Sequence, residues 1–274
     1  MRAIARRVGG HRPGRILRVA GVVVAVAAIA SACGSSNKPR SREHAPHLAA
    51  VWGDPTGRAR PRALLLMIHG GGWAGRSAAG VRSEAEIARI FQRLGYETLA
   101  FDYRRGAQGI ADAERFYRLA RRRVGPKLPI CALGPSAGGH ISLMLAVREP
   151  DLACVISYAG PTDLVSLAKQ RGGQLAYQLA VRGFGKARLA AYSPALHARS
   201  IHAKVMLVYA ETDPIVPAAQ GQEMARAFPG ARLIVLPPGP VGFVHSRVAV
   251  APFQRSLAAE VSFLANATRS WHPQ

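Results

Sequence analysis

Acidic residues are scarce in this 274-residue chain: 15 Asp and Glu stand against 37 Lys and Arg, a formal net charge of +22. Such a surplus invites a nucleic-acid partner, yet no recognition motif and no interleaved basic and aromatic stripe accompanies it, so that class is set aside. Lysine is scarce too, only 5 of the 37 cations, and an arginine bias beside abundant Ala and Gly assigns much of the charge to a GC-rich composition. Three cysteines with no C-x-x-C pair exclude a disulfide scaffold and a zinc ribbon. There is no phosphate-binding Walker loop, no dinucleotide fingerprint, no credible metal cluster and no internal repeat, so no metal or other cofactor is implied. What remains is ordinary for one globular α/β-sized domain: 49% hydrophobic and 19% charged residues, which excludes a disordered or collagen-like chain.

The longest purely aliphatic run, Val19–Ala30, spans 12 residues, short of the roughly 20 that a membrane-crossing helix needs. It follows six arginines and no acid in residues 1–18, and small residues come after it, the layout of a secretory signal. Ala30-Ser31-Ala32-Cys33 resembles the lipobox of bacterial lipoproteins, with Ala30 where a larger aliphatic residue is usual. The resemblance implies lipidation of Cys33 and a cell-envelope, membrane-anchored location; the alternative is an Ala-x-Ala cleavage site and a secreted chain. On the first reading residues 1–32 are signal and 33–46, rich in Ser, Asn, Lys, Arg and Pro, are a solvated tether. The mature chain then keeps 31 Lys and Arg against 15 acids, a net +16, and a residual attraction to anionic lipid or wall polymer is expected.

From residue 47 onward strand and helix patterns alternate. Ala63–Ile68, Thr98–Phe101, Ile130–Leu133, Cys154–Tyr158, Val205–Tyr209 and Ala231–Leu236 read as strands, the first a continuous apolar run suited to burial on both faces. Between them, a capping box at Ser83 and Glu86 opens a helix with Ile87, Ile90, Phe91 and Leu94 on one stripe, ended by Gly95. Further helices are expected around Phe116–Ala120, over Ala137–Val147, after Pro217, and after Pro252 with Phe253, Leu257, Val261 and Leu264 at helical spacing. This order predicts a doubly wound, mostly parallel sheet in one domain over 47–274, with residues 163–199 as a small cap.

Two motifs in that layout carry chemistry. Gly134-Pro135-Ser136-Ala137-Gly138 sits where a strand turns into a helix, the context of a nucleophile elbow, whose glycines admit the strained turn that exposes the serine hydroxyl. His69-Gly70-Gly71-Gly72-Trp73 follows the first central strand, 67 residues before Ser136, where consecutive glycines let backbone N–H groups point at a developing oxyanion.

With both motifs present the chain resembles the α/β-hydrolase superfamily, in its carboxylesterase/lipase-like branch, from about Ala63 to Leu264. Phe101-Asp102-Tyr103-Arg104, Gly160-Pro161-Thr162-Asp163 and Tyr192-Ser193-Pro194 look like connecting segments of that branch, while Pro135 replaces the Asp that many relatives carry before the serine. The resemblance implies a triad in the order Ser, acid, His. Asp213, in Asp213-Pro214-Ile215-Val216-Pro217, matches the acid loop, with Asp163 as the substitute, and His245, in the loop before the closing helix, takes the base role. Of the other eight histidines, His69 belongs to the oxyanion loop and orients it, and His140, one turn past Ser136, packs structurally. The implied oxyanion donors are the N–H groups of Gly71, Gly72 and Ala137, and Trp73 and Tyr103 are either pocket walls or core.

The function implied is hydrolysis of a small-molecule or polymer-borne ester through an acyl-enzyme on Ser136. Competing readings are a prolyl-oligopeptidase-like serine peptidase, against which the HGGGW loop and the lack of a propeller-sized N-terminal region weigh, and a non-catalytic surface-binding lipoprotein. Nothing in the sequence speaks to oligomeric state. Cys131 and Cys154 fall near the starts of neighbouring strands and are either a disulfide or two small buried hydrophobes.

Overall fold

The computed structural model describes residues 48–57, 60–238 and 251–273, with side chains of the last stretch described from Ser256. The signal, the tether and Cys33 lie outside the described residues; the chain divides into units 1–45 and 46–274, and the second is the folded domain. Among the described residues no helix is long and apolar enough to cross a membrane.

Seven strands form one sheet in the order β1-β3-β2-β4-β5-β6-β7. They are β1 (Ala50–Gly53), β2 (Leu64–Ile68), β3 (Glu97–Phe101), β4 (Ile130–Pro135), β5 (Cys154–Tyr158), β6 (Lys204–Ala210) and β7 (Arg232–Leu236). All pairings are parallel except β1 with β3, and β1 is an edge strand that the sequence pattern does not announce. β2, β3 and β5 are buried at every position, as strands covered on both faces must be. The helices are α1 (Ala78–Arg93), α2 (Ala107–Val124), α3 (Ala137–Arg148), α4 (Gln174–Phe184), α5 (Ala219–Ala227) and α6 (Ala251–Arg269). Chain order runs β2-α1-β3 in one direction across the sheet and β3-α2-β4-α3-β5 in the other, so right-handed crossovers put α1 on one face and α2 and α3 on the opposite one.

The first helix corrects the sequence reading. It starts at Ser77, whose hydroxyl accepts the Gly80 N–H at 3.0 Å, so Ser83 and Glu86 lie inside it and form no capping box. Its buried face is Val81, Glu84, Ala88 and Phe91, one step round from the predicted stripe. The predicted cap segment 163–199 is a run of short 3-10 turns around α4, and no other sheet is present among the described residues.

Cys131 and Cys154 are register partners on β4 and β5, with Cα atoms 4.5 Å apart, and are joined as a disulfide. Both are fully buried.

Candidate active site

The strand order reverses at β2, with β3 on one side and β4 on the other, and ligand crevices open at the carboxyl ends of strands at such a switch point. The loops leaving β2 and β4 carry the two chemical motifs. They touch: a Cβ added to Gly70 would lie 3.5 Å from the Cβ of Ser136 and 3.1 Å from the Pro135 carbonyl oxygen.

Ser136 occupies the turn from β4 into α3 with φ +53° and ψ −121°, a left-handed conformation that costs a non-glycine residue about 1–3 kcal/mol. Its N–H donates to the Tyr158 carbonyl at 2.7 Å, and its own carbonyl accepts from His140 N–H at 3.0 Å, so both neighbours of the strained turn are fixed. The elbow glycines answer to the adjacent strand: a Cβ on either Gly134 or Gly138 would overlap the Ile68 carbonyl oxygen at the end of β2. Any larger residue there would push the Gly70–Gly72 loop away from the serine. Among the described residues nothing accepts a hydrogen bond from the N–H of Gly71, Gly72 or Ala137, which leaves three donors beside the Ser136 turn.

The Gly70–Gly72 loop is held from below. His69 Nε2 donates to Asp102 Oδ1 at 3.0 Å, and the same oxygen accepts the N–H groups of Ser77 at 3.1 Å and Tyr103 at 2.8 Å. The Tyr103 hydroxyl donates to the carbonyls of His69 at 3.0 Å and Gly70 at 3.1 Å, and its ring stacks on His69 at 4.3 Å. Burial, with the Asp102 and Glu84 charges nearby, raises the Tyr103 phenol and keeps it a donor. Tyr103 is 0% and Trp73 2% exposed, so both are core supports of the loop rather than pocket walls. The parts of Asp102 and of the Tyr103 hydroxyl were not assigned from sequence. The signal for them is register: Ile68 pairs with Phe101, so the next residues, His69 and Asp102, emerge side by side.

His140 is a buried structural residue. Trp73 Nε1–H donates to its Nδ1 at 3.0 Å, and its Nε2–H donates to the Tyr192 carbonyl at 2.7 Å. Burial pulls its pKa down to about 4, against a smaller upward pull from the Tyr192 bond, so the imidazole is neutral at physiological pH.

The acid candidates have similar local geometry. Asp213, after β6, accepts the N–H groups of Ile215 at 2.8 Å and Val216 at 3.0 Å on Oδ1. Asp163, after β5, accepts those of Val165 at 2.9 Å and Ser166 at 3.1 Å. Asp213 is buried and Asp163 half-buried. The Asp163 loop rests on Gln220, a fully buried amide of α5 that the sequence does not flag. Its Oε1 accepts from Thr162 N–H at 2.7 Å and Asp163 N–H at 2.8 Å, and its Nε2 donates to Ser166 Oγ at 2.8 Å. His245 lies outside the described residues.

The β2–β4 switch point, the positive-φ serine between β4 and α3, and the sheet order together identify the architecture. The chain has the α/β-hydrolase fold. A family model described as the prolyl oligopeptidase family matches residues 118–231. No curated protein sequence matches at a significant level. Among solved structures, a puromycin-hydrolyzing peptidase of Mycobacterium tuberculosis is similar at 18% identity and TM-score 0.62, covering 83% of this chain and 38% of its own. A carbohydrate esterase from gut microbiota is similar at 15% identity and TM-score 0.65, over 81% of this chain and 91% of that one. A thermophilic esterase from Thermogutta terrifontis, solved with butyrate bound, is similar at 23% identity and TM-score 0.61, over 80% of this chain and 89% of that one. This chain therefore spans well under half of the peptidase and nearly all of either esterase. These likenesses show the α/β-hydrolase fold, and esterases and peptidases both stand among them.

Proposed function

We propose that the protein hydrolyses carboxylic esters through an acyl-enzyme on Ser136. The observation that carries this reading is the Ser136 turn, held at φ +53° against a loop whose N–H groups have no acceptor among the described residues. His245 takes the Ser136 proton as Oγ attacks the ester carbonyl carbon, and Asp213 fixes the imidazole tautomer and stabilises the imidazolium. The carbonyl oxygen becomes an oxyanion facing the N–H groups of Gly71, Gly72 and Ala137; each such donor is worth about 10²–10³ in rate. Collapse expels the alcohol, which takes the proton from His245. Water, deprotonated by the same histidine, then releases the acid and restores Ser136. The HGGGW loop, and a chain that covers 89–91% of the similar esterases, support an ester over a peptide substrate.

In the same reading the protein is exported and held at the cell-envelope membrane through a lipid on Cys33, and the buried Cys131–Cys154 bridge suits an oxidising compartment. Labelling of the full chain with a fluorophosphonate, followed by p-nitrophenyl acetate hydrolysis, tests the chemistry. Ser136→Ala should abolish both; activity undiminished in that variant sinks the proposal, and absent labelling in the wild type favours a non-catalytic binder. The prolyl-oligopeptidase family match keeps a peptidase as the second reading. Faster cleavage of aminoacyl anilides than of matched esters would select it.

A further inference from the structure

Helix α4 runs across the candidate site from the acid loop to the oxyanion loop. Just before its N-terminus, a Cβ on Gly172 would lie 3.5 Å from the Pro214 carbonyl oxygen and 3.8 Å from that of Asp213. Near its C-terminus, Gly183 packs against Gly106 and lies within reach of the Trp73 Cβ, 3.6 Å from its own added Cβ. Phe184 meets Trp73 edge-on at 5.5 Å. One turn back from Gly183, Leu179 abuts the oxyanion loop itself: a Cβ on Gly72 would fall 2.9 Å from Leu179 Cδ1 and 3.5 Å from Cδ2. Residues four apart share a helix face, so Gly183 on Trp73 and Leu179 on Gly72 fix which face of α4 looks at the loop. The next residue on that face is Leu175, about 6 Å further along the axis toward the acid loop. Leu175 is 49% exposed, whereas its solvent-facing neighbours Gln174, Gln178 and Arg182 are polar. An exposed leucine continuing a half-buried one, between the two catalytic loops, is a surface in want of an apolar occupant.

We propose that Leu179 and Leu175 form the wall of a subsite that binds an apolar chain flanking the scissile carbonyl, and so set the preference of the enzyme for long-chain over short-chain esters. The inference rests on the ester-hydrolase reading above and adds the substrate class. Hydrocarbon laid along the two leucines leaves water as it binds, whereas an acetyl or ethyl group ends before reaching Leu175. The chain belongs to either the acyl or the alcohol side of the ester, and the test separates these sources.

The experiment uses the full chain, wild type and Leu175→Gln, a surface change to a good helix former. The kcat/KM of p-nitrophenyl octanoate relative to p-nitrophenyl acetate reads the acyl arm, and that of octyl acetate relative to ethyl acetate the alcohol arm. One of the two ratios should favour the long chain by at least tenfold in the wild type and fall by about tenfold in Leu175→Gln. Ratios near unity in the wild type, or a wild-type preference that Leu175→Gln leaves unchanged, overturn the subsite while leaving the hydrolase reading intact. Loss of fluorophosphonate labelling together with all four activities would instead bring down the hydrolase reading and this inference with it.

Discussion

The indole Nε1–H of Trp73 donates to Nδ1 of His140 at 3.0 Å, and this one bond ties the candidate oxyanion loop to the helix that begins at the candidate nucleophile. Because His140 spends its other nitrogen on the Tyr192 carbonyl, the imidazole is locked in one tautomer with the Tyr192 turn on its far side. Phe184 closes the cluster, 5.5 Å from Trp73, 5.4 Å from His140 and 4.8 Å from Tyr192. Trp73→Phe keeps an aromatic ring but orphans the buried acceptor, which should cost about 1–3 kcal/mol in urea denaturation. The freed loop should also lower kcat on p-nitrophenyl acetate more than it raises KM, because oxyanion contacts strengthen in the transition state. Equal kcat and KM in the variant and wild type would remove the loop from the mechanism.

The same histidine sets a pH dependence. Its folded pKa of about 4 lies below the ordinary 6.5, so the unfolded chain binds the proton first. The stability that neutral His140 contributes is complete above pH 6.5 and is lost as pH falls from there toward 4, by about 3 kcal/mol. His140→Asn, which offers an acceptor but no titrating ring, should flatten the stability profile through that window. A wild-type profile already flat between those limits would contradict the burial seen here.

Glu84 acts in the opposite direction. It sits on the inward face of α1, and desolvation raises its carboxyl from 4.5 to about 8. A raised folded pKa means that its contribution is intact below pH 4.5 and is lost as pH rises through 8, by no more than about 5 kcal/mol. Glu84→Gln should therefore melt higher than wild type at pH 9 and no higher at pH 4. The measurement is Tm by circular dichroism at the two pH values, and a gain at both would show that charge is not the cause.

How much of this was legible in the sequence depends on how local each signal is. The Ser136 elbow and the Gly70–Gly72 loop are short runs of residues whose chemistry depends on their neighbours in the chain, and both motifs fall at the strand ends where they were expected. β1 was not legible, because Ala50–Gly53 is a four-residue antiparallel edge with no periodic pattern. The start of α1 was misread because Gly80 and the buried Glu84 break the pattern of a well-formed helix, and only tertiary packing restores it. The His69–Asp102 pair needs the β2–β3 register, and the Gln220 support joins α5 to the Asp163 loop 57 and 58 residues earlier in sequence. Such long-range pairings leave no local trace.

The Cys131–Cys154 bridge closes a separation of 23 residues across two adjacent parallel strands. Loop-closure entropy for that span corresponds to about 3 kcal/mol. Cys131→Ala/Cys154→Ala should unfold at correspondingly lower urea with its ester kinetics retained, since both sulfurs lie in the sheet and away from the loops that carry the site. Alkylation of the unreduced, denatured protein should modify neither residue; two free thiols would remove the bridge.

The two aspartates give the sharpest test of the catalytic assignment, because their backbone bonds are alike and their neighbours are not. Asp163 caps the turn that begins at Ser166, accepting Val165 and Ser166 N–H, and Ser166 Oγ donates in turn to the Glu223 carboxylate at 2.7 Å. Its carboxylate is committed to holding the cap segment in place. Asp163→Asn keeps an oxygen for those bonds and should cost about 1 kcal/mol of stability or less, with turnover close to wild type. Asp213 is more deeply buried and lies against Gly172, at the end of α4 that approaches the acid loop. If it holds His245 in the productive tautomer, Asp213→Asn keeps the backbone bonds to Ile215 and Val216 but presents the imidazole with the wrong partner. The expected loss is about 10⁴ in kcat with little change in melting temperature. A reversal, with Asp163→Asn inactive and Asp213→Asn turning over normally, would move the acid to the end of β5 and require His245 to reach across the mouth of β6.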